Sequence, residues 1–486
     1  MAEALSRATL SGLAGDVAVP DYVVRGAGIV HLGMGGFHRA HMARYTHDLM
    51  MGGEALDWGI VGAGLRPADA AVIAAVAAQD NLYSLVERSG DDETVTVIGS
   101  LAGVILAAGD SAGLLAAIDG ARIVSLTVTE HGYCLSAASK RLDVAHPAIA
   151  ADLADPERPH SAIGVLVEAY RRRKVAGAAA FTAMSCDNIQ HNGGVLKQAV
   201  LDFARLRDPD LAKWIAEHGR FPSTMVDRIT PVTAPEDVAD LASRHGVVDA
   251  VPVFCETFRQ WVIEDDFADG RPAWDQAGAQ FVADVAPYEF MKLRLLNASH
   301  LAIAGLGRLC GYRYIHETMQ DGRIRGYMRD LMDRETGPTL RPVPGVDLAA
   351  YKAALIERFA NPKIRDTVER VNTDAALNYL LDPVRDRLAN GEGIELLALG
   401  VAAWLRRVRG IDEAGRAIDV RHPLAALLRE RAIEGGVDPT PLLRIEALFG
   451  DLADNAVFVT AVGRWLGLLY EVGAAATLEG CGFGAE

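Results

Sequence analysis

Lys292, Asn297 and His300 follow one another at the spacing Lys-x4-Asn-x2-His inside the apolar stretch 288–306. Polar groups are costly in such a run unless something satisfies them. A lysine among apolar residues loses its proton readily, because desolvation disfavours the ammonium form. The resulting neutral amine is a general base. On an α-helix at about 100° per residue, Asn297 would lie about 140° round from Lys292 and His300 about 80°, so the three fit one broad face. Along the axis Lys292 and His300 would be about 12 Å apart. Side chains lean toward a helix N-terminus, so the three converge best with Lys292 at a helix start or on the turn before it, which Pro287 just upstream favours.

A chain of 486 residues exceeds one hydrophobic core, and two or three domains are expected. Half of it is hydrophobic and 23% is charged, the balance of a globular enzyme. A net charge of -16 and the absence of basic stripes exclude a nucleic-acid footprint. No apolar run reaches about 18 residues and no signal pattern opens the chain, so no membrane partner is expected. The five cysteines are few and scattered, which reads as reduced thiols in a cytoplasmic protein. No Cys/His group has zinc-ligand spacing, so the chemistry is expected to proceed without metal.

Residues 1–285 alternate short apolar runs (28–32, 58–61, 122–128, 178–185) with helical stretches, the first of them about 38–51. That pattern predicts a doubly wound parallel sheet, an α/β fold. From about 286 to 486 the strand signals stop. Helical periodicity runs through 295–310, 324–334, 348–359, 394–408, 423–432 and 455–475, so a mostly α-helical second domain is predicted there.

The first apolar run ends in Gly33-Met34-Gly35-Gly36-Phe37-His38-Arg39, a glycine cluster between strand and helix. Such a loop brings backbone amides up to a pyrophosphate. Gly33 and Gly35 match the first two fingerprint glycines, but His38 stands where the third is usual. Beyond the second run lie both Arg66 and Asp69. An acidic residue suits the NAD ribose and an arginine suits a 2′-phosphate, so NAD is expected and NADP stays open.

Five motifs together resemble the polyol-specific long-chain dehydrogenase/reductase family over nearly the whole length. They are His-Leu-Gly-x-Gly-x-Phe-His-Arg-Ala-His from His31, Thr-Glu-x-Gly-Tyr at 129–133, Ser-Cys-Asp-Asn at 185–188, Val-Asp-Arg-Ile-Thr-Pro at 226–231, and the lysine trio. The resemblance implies a Rossmann-type N-terminal domain and a helical C-terminal domain with substrate bound between them. It makes Lys292 the catalytic base, with Asn188 and Asn297 holding the reacting oxygen and His300 fixing the substrate. Glu289 and Glu130 would relay protons, Glu130 from among the cofactor-binding residues, while Asp227 and Arg370 would line or support the substrate pocket. A monomer is implied as well. The reaction would be NAD-dependent interconversion of an open-chain sugar alcohol, such as mannitol or arabinitol, with its ketose at C2. Two asparagine amides suit the negative charge that develops on oxygen, since they donate without titrating.

After Arg370 the family's Asp-Gly-Ser-x-Lys is replaced by Asp374-Ala375-Ala376-Leu377-Asn378, so Asn378 stands where a substrate-binding lysine is expected. Met42 replaces a usual glutamine. The alternative activity within the family is reduction of a hexuronate (fructuronate or tagaturonate), which needs a cation for the substrate carboxylate. The missing lysine weighs against it.

Overall fold

The apolar runs that end in glycine become the central strands of the N-terminal unit. A computed structural model describes residues 3–90, 92–136, 139–371, 373 and 375–482. The chain forms two compact units, Met1–Val285 and Ala286–Glu486. In the first, β1 (Ile29–Leu32), β2 (Ile60–Gly64), β3 (Leu101–Leu106), β4 (Ile123–Leu126) and β5 (Thr182–Ser185) form one parallel sheet. The spatial order is β3-β2-β1-β4-β5, so the order reverses between β1 and β4. In open α/β sheets that reversal is where the carboxyl ends of the strands open onto a ligand crevice.

Every residue of β1, β4 and β5 is buried, as expected of strands covered on both faces. Side chains alternate across the sheet. Val30, Leu32, Val124 and Leu126 join one core with Leu166 and Phe203, while Ile29 and Ile123 join another with Tyr45, Trp261 and Trp274. Two smaller sheets hold strands that the apolar-run reading passed over, such as Asp92–Ile98, which mixes threonine and glutamate with valine.

The helix expected over 38–51 is two helices, α1 (Gly36–Ala40) and α2 (Met42–Met51). The backbone leaves helical angles at His41, whose Nε2 lies 2.9 Å from the Gln260 carbonyl oxygen. His31, His38, His41 and His47 are all buried around these elements. Burial lowers the pKa of His31, His41 and His47 from 6.5 to about 3, and that of His38 well below its ordinary value.

In the second unit the helices used below are α3 (Ala286–Met291), α4 (Ala298–Leu309), α5 (Leu348–Ala360), α6 (Asn378–Ala389), α7 (Glu395–Arg407) and α8 (Ala456–Glu471). Helix α7 is buried from Leu396 to Arg407 and packs against α4 and α8, so it is the core of this unit. Pro383 sits inside α6, and that breaker explains why periodicity missed the helix. No single helix among the described residues is long and apolar enough to cross a membrane. Cys134, Cys186, Cys255, Cys310 and Cys481 are free thiols.

A histidine whose pKa is depressed by folding stabilises the native state above its unfolded pKa, and that contribution is lost as pH falls toward the folded value. The melting temperature is therefore expected to drop steadily from about pH 6.5 downward. His38→Phe, which keeps a flat ring but cannot titrate, should flatten that slope in melts followed by circular dichroism.

Candidate functional site

Gly33 ends β1 with φ +92, and a Cβ there would stand 2.2 Å from the Thr127 carbonyl oxygen, so glycine is required twice over. Thr127, just past β4, locks the turn. Its N–H donates to Leu32 at 2.9 Å and its hydroxyl to the Gly33 carbonyl at 2.7 Å. Met34 folds back over β2, where a Cβ on Gly62 would meet its sulfur at 2.3 Å. Around Gly35 there is open space, and Gly36 starts α1. The loop thus presents backbone on its outer side.

The broken fingerprint has a structural reason. The third glycine normally lets helix and strand pack closely. Here the His38 ring lies flat on the ring of His31 from β1, with centroids 3.4 Å apart and planes 13° from parallel. His31 is held by Ser125 Oγ and Thr127 Oγ1, each 2.8 Å from a ring nitrogen. Two thin rings fill the space that a glycine would leave. Arg39 also turns inward. Its guanidinium donates to the Val251 carbonyl and lies 5.3 Å from the Tyr83 ring centre. What His38 and Arg39 offer a ligand is therefore their backbone. Arg66, 77% exposed, binds Asp69 Oδ1 at 2.8 Å, so the two residues that could choose between NAD and NADP are paired with each other.

Asp187 is a residue the sequence reading passed over. Buried at the end of β5, its carboxylate accepts from the Val128 N–H (3.1 Å), the Thr129 N–H (2.8 Å) and the Tyr133 hydroxyl (2.8 Å). It ties the 129–133 motif to the 185–188 motif, with exposed Glu130 and Asn188 beside the clamp on its two sides. Thr129 takes φ +62, a strained value for a β-branched residue. Burial raises the pKa of Asp187, opposed by these hydrogen bonds. Its only sequence signal was its place inside a motif.

Asp227 ends the strand Thr224–Asp227 and is buried. The next residue, Arg228, donates to the Ala40 carbonyl at 2.5 Å and pairs with Glu87, so this motif also grips the end of α1.

In the second unit, Lys292 is not at a helix start. Helix α3 runs straight into a π-helical turn, Lys292–Asn297, which continues as α4. A π turn closes i→i+5, so five residues make little more than one revolution. This brings Asn297 nearly over Lys292, where a regular α-helix would set it far round the axis. Glu289, Lys292, Asn297 and His300 are all buried, Lys292 being 7% exposed. His300 lies against Phe359 of α5, ring centres 4.8 Å apart, with its Nε2 3.5 Å from Asp366 Oδ2. Arg370 forks onto the same carboxylate through Nε and Nη2, the latter at 2.5 Å. Asn378 is exposed at the first turn of α6. Asp374 of the divergent segment lies outside the described residues.

Residues 27–276 match the family model for the mannitol dehydrogenase Rossmann domain, and residues 284–467 match that for the mannitol dehydrogenase C-terminal domain. The chain belongs to the mannitol dehydrogenase family. Among its relatives is the D-mannonate oxidoreductase of Escherichia coli, 46% identical over 92% of this chain and 94% of that protein. The mannitol 2-dehydrogenase of Phaeosphaeria nodorum is 41% identical over 95% of this chain and 83% of that protein. The solved structure of Pseudomonas fluorescens mannitol 2-dehydrogenase, a ternary complex with NAD and D-mannitol, superposes with a TM-score of 0.90 at 42% identity, covering 99% of both chains. The strand order found here positions the glycine loop at the sheet's reversal. Asp366 was missed because it is legible only as one acid in a charged stretch.

Removing the charge of Asp187 leaves buried donors short of an acceptor. Asp187→Asn is expected to cost about 1–3 kcal/mol of unfolding free energy in urea titrations, while Asp187→Leu should cost more.

Proposed function

We propose that this chain, an oxidoreductase, is a NAD-dependent polyol 2-dehydrogenase that interconverts an open-chain sugar alcohol and its ketose, with Lys292 as general base and no metal. The observation that carries this reading is the buried lysine at the head of a π turn, aligned with Asn297 and followed by His300. Its likeness to mannitol 2-dehydrogenases, one of them solved with NAD and D-mannitol, supports it.

The glycine loop fits a dinucleotide, since Gly33 makes the tight turn and Gly35 faces open space. The backbone of Gly33–Gly36 would hold the pyrophosphate, and the Arg66–Asp69 corner would meet the adenosine ribose. What the bound cofactor supplies is a hydride acceptor for the carbinol carbon. Neutral Lys292 Nζ takes the hydroxyl proton, and the amides of Asn297 and Asn188 donate to the oxygen as negative charge grows on it. His300, steadied by Asp366 and Phe359, orients a neighbouring hydroxyl. Glu289, one turn before the lysine, accepts its proton for release to water. Glu130 serves the same relay.

A second reading, action on a sugar acid, draws support from the 46% identity to a D-mannonate oxidoreductase. Steady-state rates for mannitol, arabinitol, fructose, mannonate and fructuronate with both nicotinamide cofactors separate the two.

Lys292→Ala should bind NADH with unchanged affinity by fluorescence titration yet lose about 10²–10⁴-fold in kcat, with partial rescue by methylamine. Wild-type activity in that variant would refute the base assignment. Prolonged treatment with EDTA should leave the wild-type rate unaltered.

A further inference from the structure

Asp366 is an acidic side chain buried beside the proposed substrate-orienting histidine, and neither the lysine trio nor the glycine loop accounts for it. Its carboxylate faces two groups at once: His300 Nε2 at 3.5 Å, and the fork of Arg370, a side chain 47% exposed. The segment that carries it is fastened on several sides. The Asp366 carbonyl accepts from the Ile315 N–H at 2.9 Å, and the Val368 N–H donates to the Arg313 carbonyl at 3.1 Å. From the core helix, Arg407 reaches the Val371 carbonyl and Glu369, both at 2.9 Å. The backbone that carries the pair is thus held in place.

Resting on the polyol reading above, we infer that Asp366 is a specificity residue that, by closing Arg370 into an ion pair next to His300, favours an uncharged sugar alcohol over a sugar acid. A substrate carboxylate brought to His300 would meet a fixed negative charge, and the nearby guanidinium already has its counter-ion. Desolvating an anion without a partner is heavily penalised. A hydroxyl group meets no such obstacle and can donate to the carboxylate.

The test compares kcat/KM for reduction of fructose and of fructuronate in the wild type, Asp366→Asn and Arg370→Gln. The wild type should prefer fructose by at least 100-fold. Asp366→Asn frees the guanidinium and should shrink that ratio at least 10-fold, mainly by gaining fructuronate turnover. Arg370→Gln leaves the carboxylate uncompensated and should widen the ratio. A purely structural role would depress both substrates alike, and the opposite movements exclude it. Should Asp366→Asn fail to fold, Arg370→Gln alone decides, because a ratio that is unchanged or smaller there overturns the inference. An unchanged ratio in folded Asp366→Asn does the same. A wild type that reduces both sugars equally refutes the filter but leaves the dehydrogenase reading standing, whereas a wild type inactive on both refutes the two together.

Discussion

A polar group taken out of water must be met by a partner, and in both units that demand decides where the backbone goes. Asp187 gathers two amides and a phenol, and the chain between β4 and its following turn bends into a strained threonine to supply them. Asp366 takes both arms of Arg370 and lies near an imidazole. His31 takes two hydroxyls, one of which in turn holds the turn at Gly33. Asp187, Asp366 and His31 are thus each the centre of a local network that ties one motif to another element.

The architecture follows from this division of labour. The parallel sheet supplies a stiff platform whose buried strands end together, and Thr127 and the Ala63 carbonyl hold the glycine turn onto it. The helical unit obtains the same stiffness from α7, apolar almost all round, whose last turn carries Arg407 to grip the irregular segment around Asp366. Rigid supports matter because a misplacement of about 1 Å is enough to spoil proton and hydride transfer.

Much of this was legible in the residues. The four apolar runs of the first unit lie in one sheet, and the loss of strand signals near 286 matches a second unit without a sheet among its described residues. Illegible were features set by contacts distant in sequence. The break at His41 depends on a carbonyl 219 positions away. The inward turn of Arg39 depends on Val251, and no local pattern announces either. The stacked pair His31–His38 read as a defect in the glycine fingerprint because single-residue motifs do not register a replacement that needs two partners. Helix α6 hid behind its proline. For the lysine trio, periodicity missed the π turn, since it assumes 3.6 residues per turn throughout.

That winding bears on how such a chain can change. One residue more than an α-helix requires is stored between Lys292 and Asn297. Excising a single amino acid there would let the segment relax to ordinary pitch while leaving the amide, the imidazole and every later side chain of α4 on nearly the same bearing, because four residues at about 100° each close a turn as five do here. The wide turn is thus a place where the helix can absorb or shed one residue without turning its core face.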